Sequence, residues 1–159
     1  MNARIVAYTD GSVSNNGYDD AAGGFAVWYG DDDDRNISEV YDDETTPPTN
    51  QNCELMAVKR ALQTELAPHQ HLFIVTDSRY ALSCATVWSK KWKVNGWKNS
   101  KDEAIANKNL IQEIVKLVDS LGDKVGFAHC KAHTGIVGNE EADKLAKAGR
   151  DKAKKSLSK

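Results

Sequence analysis

The sequence lacks the sulfur pattern of a stapled or zinc-bound fold. Its three cysteines, Cys53, Cys84 and Cys130, are odd in number, widely spaced and without a Cys-x-x-Cys pair, which argues against a disulfide framework or zinc ribbon and for buried, reduced thiols. Long apolar runs are also missing. No stretch approaches the roughly 20 residues that cross a bilayer, so no membrane association is expected. The N-terminal MNARIVAYTD has none of the regions of a secretory signal, and a cytoplasmic chain is the expectation. There is no repeat and no internal linker. At 159 residues, 40% hydrophobic and 28% charged, the composition is that of an ordinary single domain, expected to be monomeric and to span residues 1–150, with 151–159 (DKAKKSLSK) a basic, frayed tail.

A net charge of −2 argues by itself against a nucleic-acid partner, but the charge is unevenly distributed. Residues 1–87 carry 5 basic and 14 acidic side chains, a net of −9, while residues 88–159 carry 16 basic and 9 acidic, a net of +7. An acidic half beside a basic half suits a protein that holds cations in one place and a polyanion in another, although unequal surface charge can also be without function.

Residues 3–9 are short, apolar and β-prone, and the Asp-Gly that follows is expected to close them as a turn. Further strands are expected at 23–29, near 36–42, at 71–76 and at 125–130. The DDDDRN turn lacks the spacing of a calcium loop and reads as solvated. Leu55, Val58, Leu62 and Leu66 recur at helical spacing over 51–66, with Asn50 available as N-cap. Further helices are expected over 77–85, 103–121 (with Gly122 as C-cap) and 139–149. The segment WSKKWKVNGWKNSK, residues 88–101, has three tryptophans, five lysines and no acid. The order β-β-β-α-β-α-α-β-α implies an α/β layered domain with a mixed sheet covered by helices.

Four acids stand out by position: Asp10 after the first strand, Glu54 on the first long helix, Asp77 after the buried HLFIVT run, and Asp143 on the last helix. Singly, each has an ordinary explanation as a cap, a turn former or a solvated charge. Together they differ, because sites in α/β sheets gather at the carboxyl ends of strands. An unpaired Asp77 beside an apolar layer would be costly, and a divalent cation removes that cost. Carboxylates without His or Cys form a hard-oxygen set suited to Mg²⁺ or Mn²⁺. Two such ions can activate a water and stabilise the leaving oxygen at a phosphodiester.

With these residues in view, the sequence resembles the ribonuclease HI family over nearly its whole length. The matching pieces are YTDGSVSNNG around Asp10, TNQNCELMAV around Glu54, VTDSRYAL around Asp77, and HTGIVGNEEAD running from His133 to Asp143. The resemblance implies a ribonuclease H-like fold, a five-stranded mixed sheet with the order β-β-β-α-β-α-α-α-β-α, in which residues 1–150 are the catalytic domain. It implies a magnesium-dependent endonuclease that cuts the RNA strand of an RNA–DNA hybrid with two ions, leaving 5′-phosphate and 3′-hydroxyl ends. Asp10, Glu54, Asp77 and Asp143 would hold the metals, with Mn²⁺ a plausible substitute for Mg²⁺, and His133 would assist proton transfer or product departure. Zinc at His129, Cys130 and His133 is disfavoured, because a strand end and a loop do not supply helical i, i+4 geometry.

By the same resemblance Asn16, Asn50 and Gln51, with Glu54, contact the 2′-hydroxyls that mark the RNA strand. Asn50 as a helix cap and Asn16 as a left-handed turn residue are compatible alternatives. Trp88 and Trp92 would pack on deoxyriboses. Thr49, Ser100 and Asn107 match positions that grip DNA phosphates, and Lys90, Lys91, Lys93 and Lys98 supply sequence-blind attraction. An amphipathic helix with core tryptophans is the competing account of that segment. One departure is visible: relatives often carry an arginine two residues before Thr-Asn-Gln, where this chain has Pro47. A catalytically silent domain of the same fold, or a DNA-directed nuclease of the superfamily, remains the alternative function.

Overall fold

The computed structural model describes residues 3–43, 46–99 and 101–157. Strands β1 (Ala3–Ser14), β2 (Ala22–Trp28) and β3 (Ile37–Val40) form an antiparallel meander. Strand β4 (Gln70–Thr76) pairs parallel to β1, and β5 (Val125–His129) parallel to β4, so the sheet is mixed, in the order β3-β2-β1-β4-β5. Helices α1 (Asn50–Leu62), α2 (Arg79–Ser83), α3 (Ser89–Asn95), α4 (Lys108–Leu121) and α5 (Val137–Leu157) complete it. None of the helices is long and apolar enough to cross a membrane, among the described residues.

Alternation along β1 decides which helix covers which face. Ile5 and Ala7 point into the main core with Leu72 and Ile74 of β4, Leu55, Val58 and Leu62 of α1, and Ile111, Ile114 and Val115 of α4. Tyr8 and Ser12, of opposite parity, meet α5 instead: a Cβ at Gly138 would lie 2.2 Å from the Tyr8 ring, and Arg150 Nη1 donates to Ser12 Oγ at 3.1 Å. The sheet is therefore sandwiched between α1 with α4 on one side and α5 on the other. Cys53, Cys84 and Cys130 are buried and free.

Several boundaries differ from the sequence expectation. The first strand does not turn at Asp10-Gly11 but continues to Ser14, because β2 supplies an antiparallel partner for every residue from Tyr8 onward. The cap of α1 is Thr49, not Asn50: Thr49 Oγ1 accepts from Asn52 N at 3.1 Å while Asn52 Oδ1 accepts from Thr49 N at 2.7 Å, a reciprocal capping box. Helix α1 stops at Leu62, and Leu66 reaches the core from the following loop. The helix expected over 77–85 leads through a π-helical turn, Cys84–Trp88, directly into α3, so the Trp/Lys segment begins as helix. Helix α4 starts at Lys108 rather than 103, since Asn107 takes a left-handed φ of 61° and Asn99 Oδ1 ties back the N–H groups of Lys101 and Glu103 at 2.9 and 3.0 Å. At the other end, the segment expected to fray is helical through Leu157. Small buried residues, Ala142, Ala146, Gly149 and Ala153, continue a sheet-facing stripe that a search for large apolar side chains overlooks.

One of the closest contacts in the sandwich is where α5 crosses β2. A Cβ at Gly24 would lie 2.2 Å from the backbone nitrogen of Arg150, so no side chain fits there without moving the helix. Gly24→Ala is expected to lower stability in urea denaturation by about 1–3 kcal/mol, as overpacking does. Gly30→Ala, where nothing lies within 4 Å of the added Cβ, should stay within about 0.5 kcal/mol. Equal effects of the two substitutions would contradict so close a crossing.

Candidate active site

The parallel ladder between β1 and β4 ends at the pair Thr9 and Thr76. One residue further on, each strand carries an aspartate, Asp10 and Asp77, which therefore emerge side by side. Their parity is that of Tyr8 and Ser12, towards α5. Beyond this point β1 continues with β2 alone, so Asp10 lies where two neighbouring strands part and is only 4% exposed.

Glu54 reaches the same place from the opposite side of the sheet. Helix α1 crosses β1 so closely at Gly11 that an added Cβ would lie 2.6 Å from Glu54 N and 2.7 Å from Cys53 C. Glycine here serves close approach rather than a turn. The Gly11 backbone N–H lies near enough to the Glu54 carboxylate to favour its charged form. Single oxygens of Asp10, Glu54 and Asp77 lie within 4.8 Å of one another. Asp143, on α5, hydrogen-bonds with the Asp10 carboxyl but is outside that tight group, and its own Oδ2 is 2.9 Å from Lys147 Nζ.

Packing like charges in a desolvated place raises their pKa values. Burial first, then the charges of Asp77 and Asp143 and the Asp143 hydrogen bond, push Asp10 up to about 7, against an opposing hydrogen bond with Glu54. Glu54 is likewise driven well above the usual glutamate range, by burial and then by Asp10 and Asp77, with the Gly11 N–H opposing. Glu54 keeps some exposed surface, yet its Oε2 is sealed from solvent and has no hydrogen-bond partner. No salt bridge joins Asp10, Glu54 or Asp77 to a lysine or arginine among the described residues. Three converging carboxylates, one orphaned buried oxygen and no cationic side chain fit an oxygen-coordinated divalent cation, and the donor set excludes none of the hard ions.

Asn139, which sequence reasoning passed over, and His129, weighed there only as a zinc ligand, belong to this place. Asn139, 3% exposed in the first turn of α5, donates from Nδ2 to Asp77 Oδ2 at 3.0 Å. His129 Nε2 lies 3.1 Å from the Asp77 carbonyl oxygen, which engages the histidine with backbone. Asn139 sits inside the HTGIVGNEEAD motif, four residues before Asp143 and so on the same helix face, which was the available signal.

Other expected site residues are more dispersed. His133 is exposed in the loop between β5 and α5, with a left-handed φ of 58°. Asn16 and Asn50 do meet, Asn50 N donating to Asn16 Oδ1 at 3.3 Å, but the left-handed positions of that loop are Asn15 and Gly17, not Asn16. Gln51 is exposed beside them. Thr49 spends its acceptor on the helix cap and keeps its hydroxyl hydrogen. Tyr80, Trp88, Trp92 and Trp97 form a run of tilted rings with successive centroids 6.0, 5.9 and 6.1 Å apart. Trp92 and Trp97 pack on the core while Trp88 is 41% exposed, so the competing core account holds for two of the three. Asn107 Nδ2 donates to Tyr80 Oη at 3.2 Å. Lys90 and Lys91 are exposed, Lys93 pairs with Asp119 at 2.8 Å, and Lys98 lies 3.5 Å from Asp102. Ser100 lies outside the described residues.

A carboxyl raised in the folded state contributes stability that is fully present below its unfolded pKa and is lost as pH rises through the folded one. For Asp10 that window runs from the ordinary 3.8 to about 7. Metal-free Asp10→Asn should therefore be more stable than the parent at pH 7.5, by about 1 kcal/mol or more, roughly 2–4 °C in Tm, with the gap closing towards pH 4. A lower Tm for the variant at pH 7.5 would contradict the assigned charge crowding.

Comparison with known proteins identifies the chain's relatives. The model of the RNase H family matches residues 2–151. Ribonuclease H1 of Mus musculus is 33% identical over 150 residues, 94% of this chain, and the chain spans about half, 51%, of that relative's length. Ribonuclease H of Francisella tularensis subsp. novicida is 37% identical over 145 residues, covering 90% of this chain and 88% of the relative. Among solved structures, LC9-RNase H1, described as a type 1 RNase H with the type 2 active-site motif, superposes with a TM-score of 0.70 at 26% identity, over 96% of this chain and 74% of the other. With its mixed five-stranded sheet and acidic cluster, and with nearly its full length matched, the chain belongs to the RNase H family.

Proposed function

We propose that the protein hydrolyses the RNA strand of RNA–DNA hybrids with divalent cations, two per site, held by Asp10, Glu54, Asp77 and Asp143, leaving 5′-phosphate and 3′-hydroxyl ends. The observation that carries this reading is the convergence of Asp10, Glu54 and Asp77 within 4.8 Å in a chain of the RNase H family. Magnesium, or manganese in its place, would supply an acidified water and electrostatic stabilisation of the phosphate oxygens.

The chain's own residues account for the rest. Asp10 and Asp77 are presented one residue beyond the last rung of the β1–β4 ladder, and the close crossing of α1 at Gly11 brings Glu54 to them. Asp143 stands behind Asp10, and Lys147 limits its freedom. His133, exposed on its loop, can carry a proton on an imidazole nitrogen to the departing 3′ oxygen. Asn16, Asn50 and Gln51 lie at the start of the helix that carries Glu54. Their carboxamides both donate and accept, which suits a 2′-hydroxyl. The DNA strand would run along the exposed Trp88 with the lysines of α3, Trp92 lying deeper in the ring run. Thr49 and Asn107 each retain one hydrogen for a phosphate, after the helix cap and the Tyr80 bond take the other valence.

In an assay with Mg²⁺, the RNA of a labelled hybrid should be cut while the same RNA single-stranded and a DNA duplex survive. Glu54→Gln should reduce cleavage by ~10²-fold or more, in line with losing a group that stabilises charge at the reacting centre. Equal cleavage of all three substrates, or none of the hybrid, would overturn the proposal. Replacing Lys90 and Lys91 by alanine should flatten the log–log salt dependence of hybrid binding by about 0.9 for each phosphate that is no longer neutralised. An unchanged slope would place the nucleic acid elsewhere.

A further inference from the structure

The structure assigns Asn139 as a positioning residue that fixes the orientation of the Asp77 carboxylate within the acidic cluster; this rests on the proposed metal site. A carboxylate oxygen can only accept, so the 3.0 Å contact fixes the amide as donor to Asp77 Oδ2. Asp77, which also offers a carboxylate oxygen to the cluster with Asp10 and Glu54, is thereby held by a donor from outside that cluster. A neutral donor is the fitting partner for this task. A lysine or arginine would neutralise Asp77 and compete with a cation, whereas an acid would add to the repulsion already raising Asp10 and Glu54.

The amide is itself held in place. Asn139 is 3% exposed, and its predecessor Gly138 lies flat against the Tyr8 ring, where a Cβ would stand 2.2 Å from the nearest ring atoms. That contact sets the start of α5 against β1, two residues before Asp10 in the strand. Four residues later the same helix presents Asp143 to Asp10. One rigid turn of α5 thus supplies a donor to Asp77 and a carboxylate to Asp10, so the orientation of two acids is coupled to one helix position. Hydrogen-bonded partners of metal-ligating carboxylates tune affinity by about 10–100-fold when removed.

The test is Mn²⁺ binding without substrate, followed by the ion's EPR signal, on Asn139→Ala and the nearly isosteric Asn139→Leu. The leucine variant keeps the branched shape and fills the buried position without any polar group, so it reports even where the alanine variant does not fold. Either folded variant should raise the Mn²⁺ Kd by about 10–100-fold. In hybrid cleavage the metal concentration for half-maximal rate should rise with it and kcat at fixed metal should fall, while KM for the hybrid stays within about two-fold. A Kd within two-fold of the parent in a folded variant overturns the assignment, including when Tm has dropped, because Asn139 would then be structural only. Asp77→Asn separates the positioning role from the metal site itself. If it abolishes tight Mn²⁺ binding while the Asn139 variants do not, only the positioning role fails; if it too leaves Mn²⁺ affinity unchanged, the metal-site reading fails with it.

Discussion

Thr9 and Thr76 face one another at the last rung of the β1–β4 ladder, and the character of the site follows from the next residue of each strand. Parallel pairing forces Asp10 and Asp77 to emerge together, and the close crossing of α1 at Gly11 brings Glu54 in from the other face. Backbone hydrogen bonds and helix packing are what hold these like charges together, against their mutual repulsion and against desolvation. Such crowding costs stability in the empty protein and creates a strong demand for a cation.

Helix α5 is the second constraint. Its small residues Ala142, Ala146, Gly149 and Ala153 let it lie on the sheet, where Ser38 Oγ donates to Leu145 O at 2.7 Å and Arg150 reaches Ser12. The rigidity gained serves the acidic centre, since the same helix carries Asn139 and Asp143. By contrast, the residues proposed for nucleic-acid contact sit on exposed elements: Asn16 and Gln51 at a loop and helix start, and Trp88 at the end of a π-helical turn. A polyanion would have to reach them from solvent, whereas a metal centre needs burial and fixed geometry.

Much of this was legible in the chain itself. The 3.6 and 2.0 periodicities located α1, β4 and the apolar face of α4, because burial of one face imposes a period on the residues. The four acids could be named because each is embedded in a distinctive local motif. Legibility failed where a local cue was overridden by a distant partner. Asp10-Gly11 looks like a turn until β2 is there to extend the strand. Asn50 looks like a cap until Thr49 and Asn52 close their reciprocal bonds. Residues 151–157 look frayed until the sheet is placed under Ala153.

The sequence by itself determined the composition of the site and of the core: which acids are present, which segments are amphipathic, and that one basic, Trp-rich segment is set apart from an acidic half. Only the tertiary structure decided which of these groups meet. Asp10, Glu54 and Asp77 form one tight cluster, Asp143 stands slightly apart with Lys147, Asn139 is bound to Asp77, and Trp88 alone of the three tryptophans in its segment is exposed above a third of its surface. The physical reason is that residue type and spacing set local preference, while strand register, helix crossing distance and desolvation depend on partners tens of residues away.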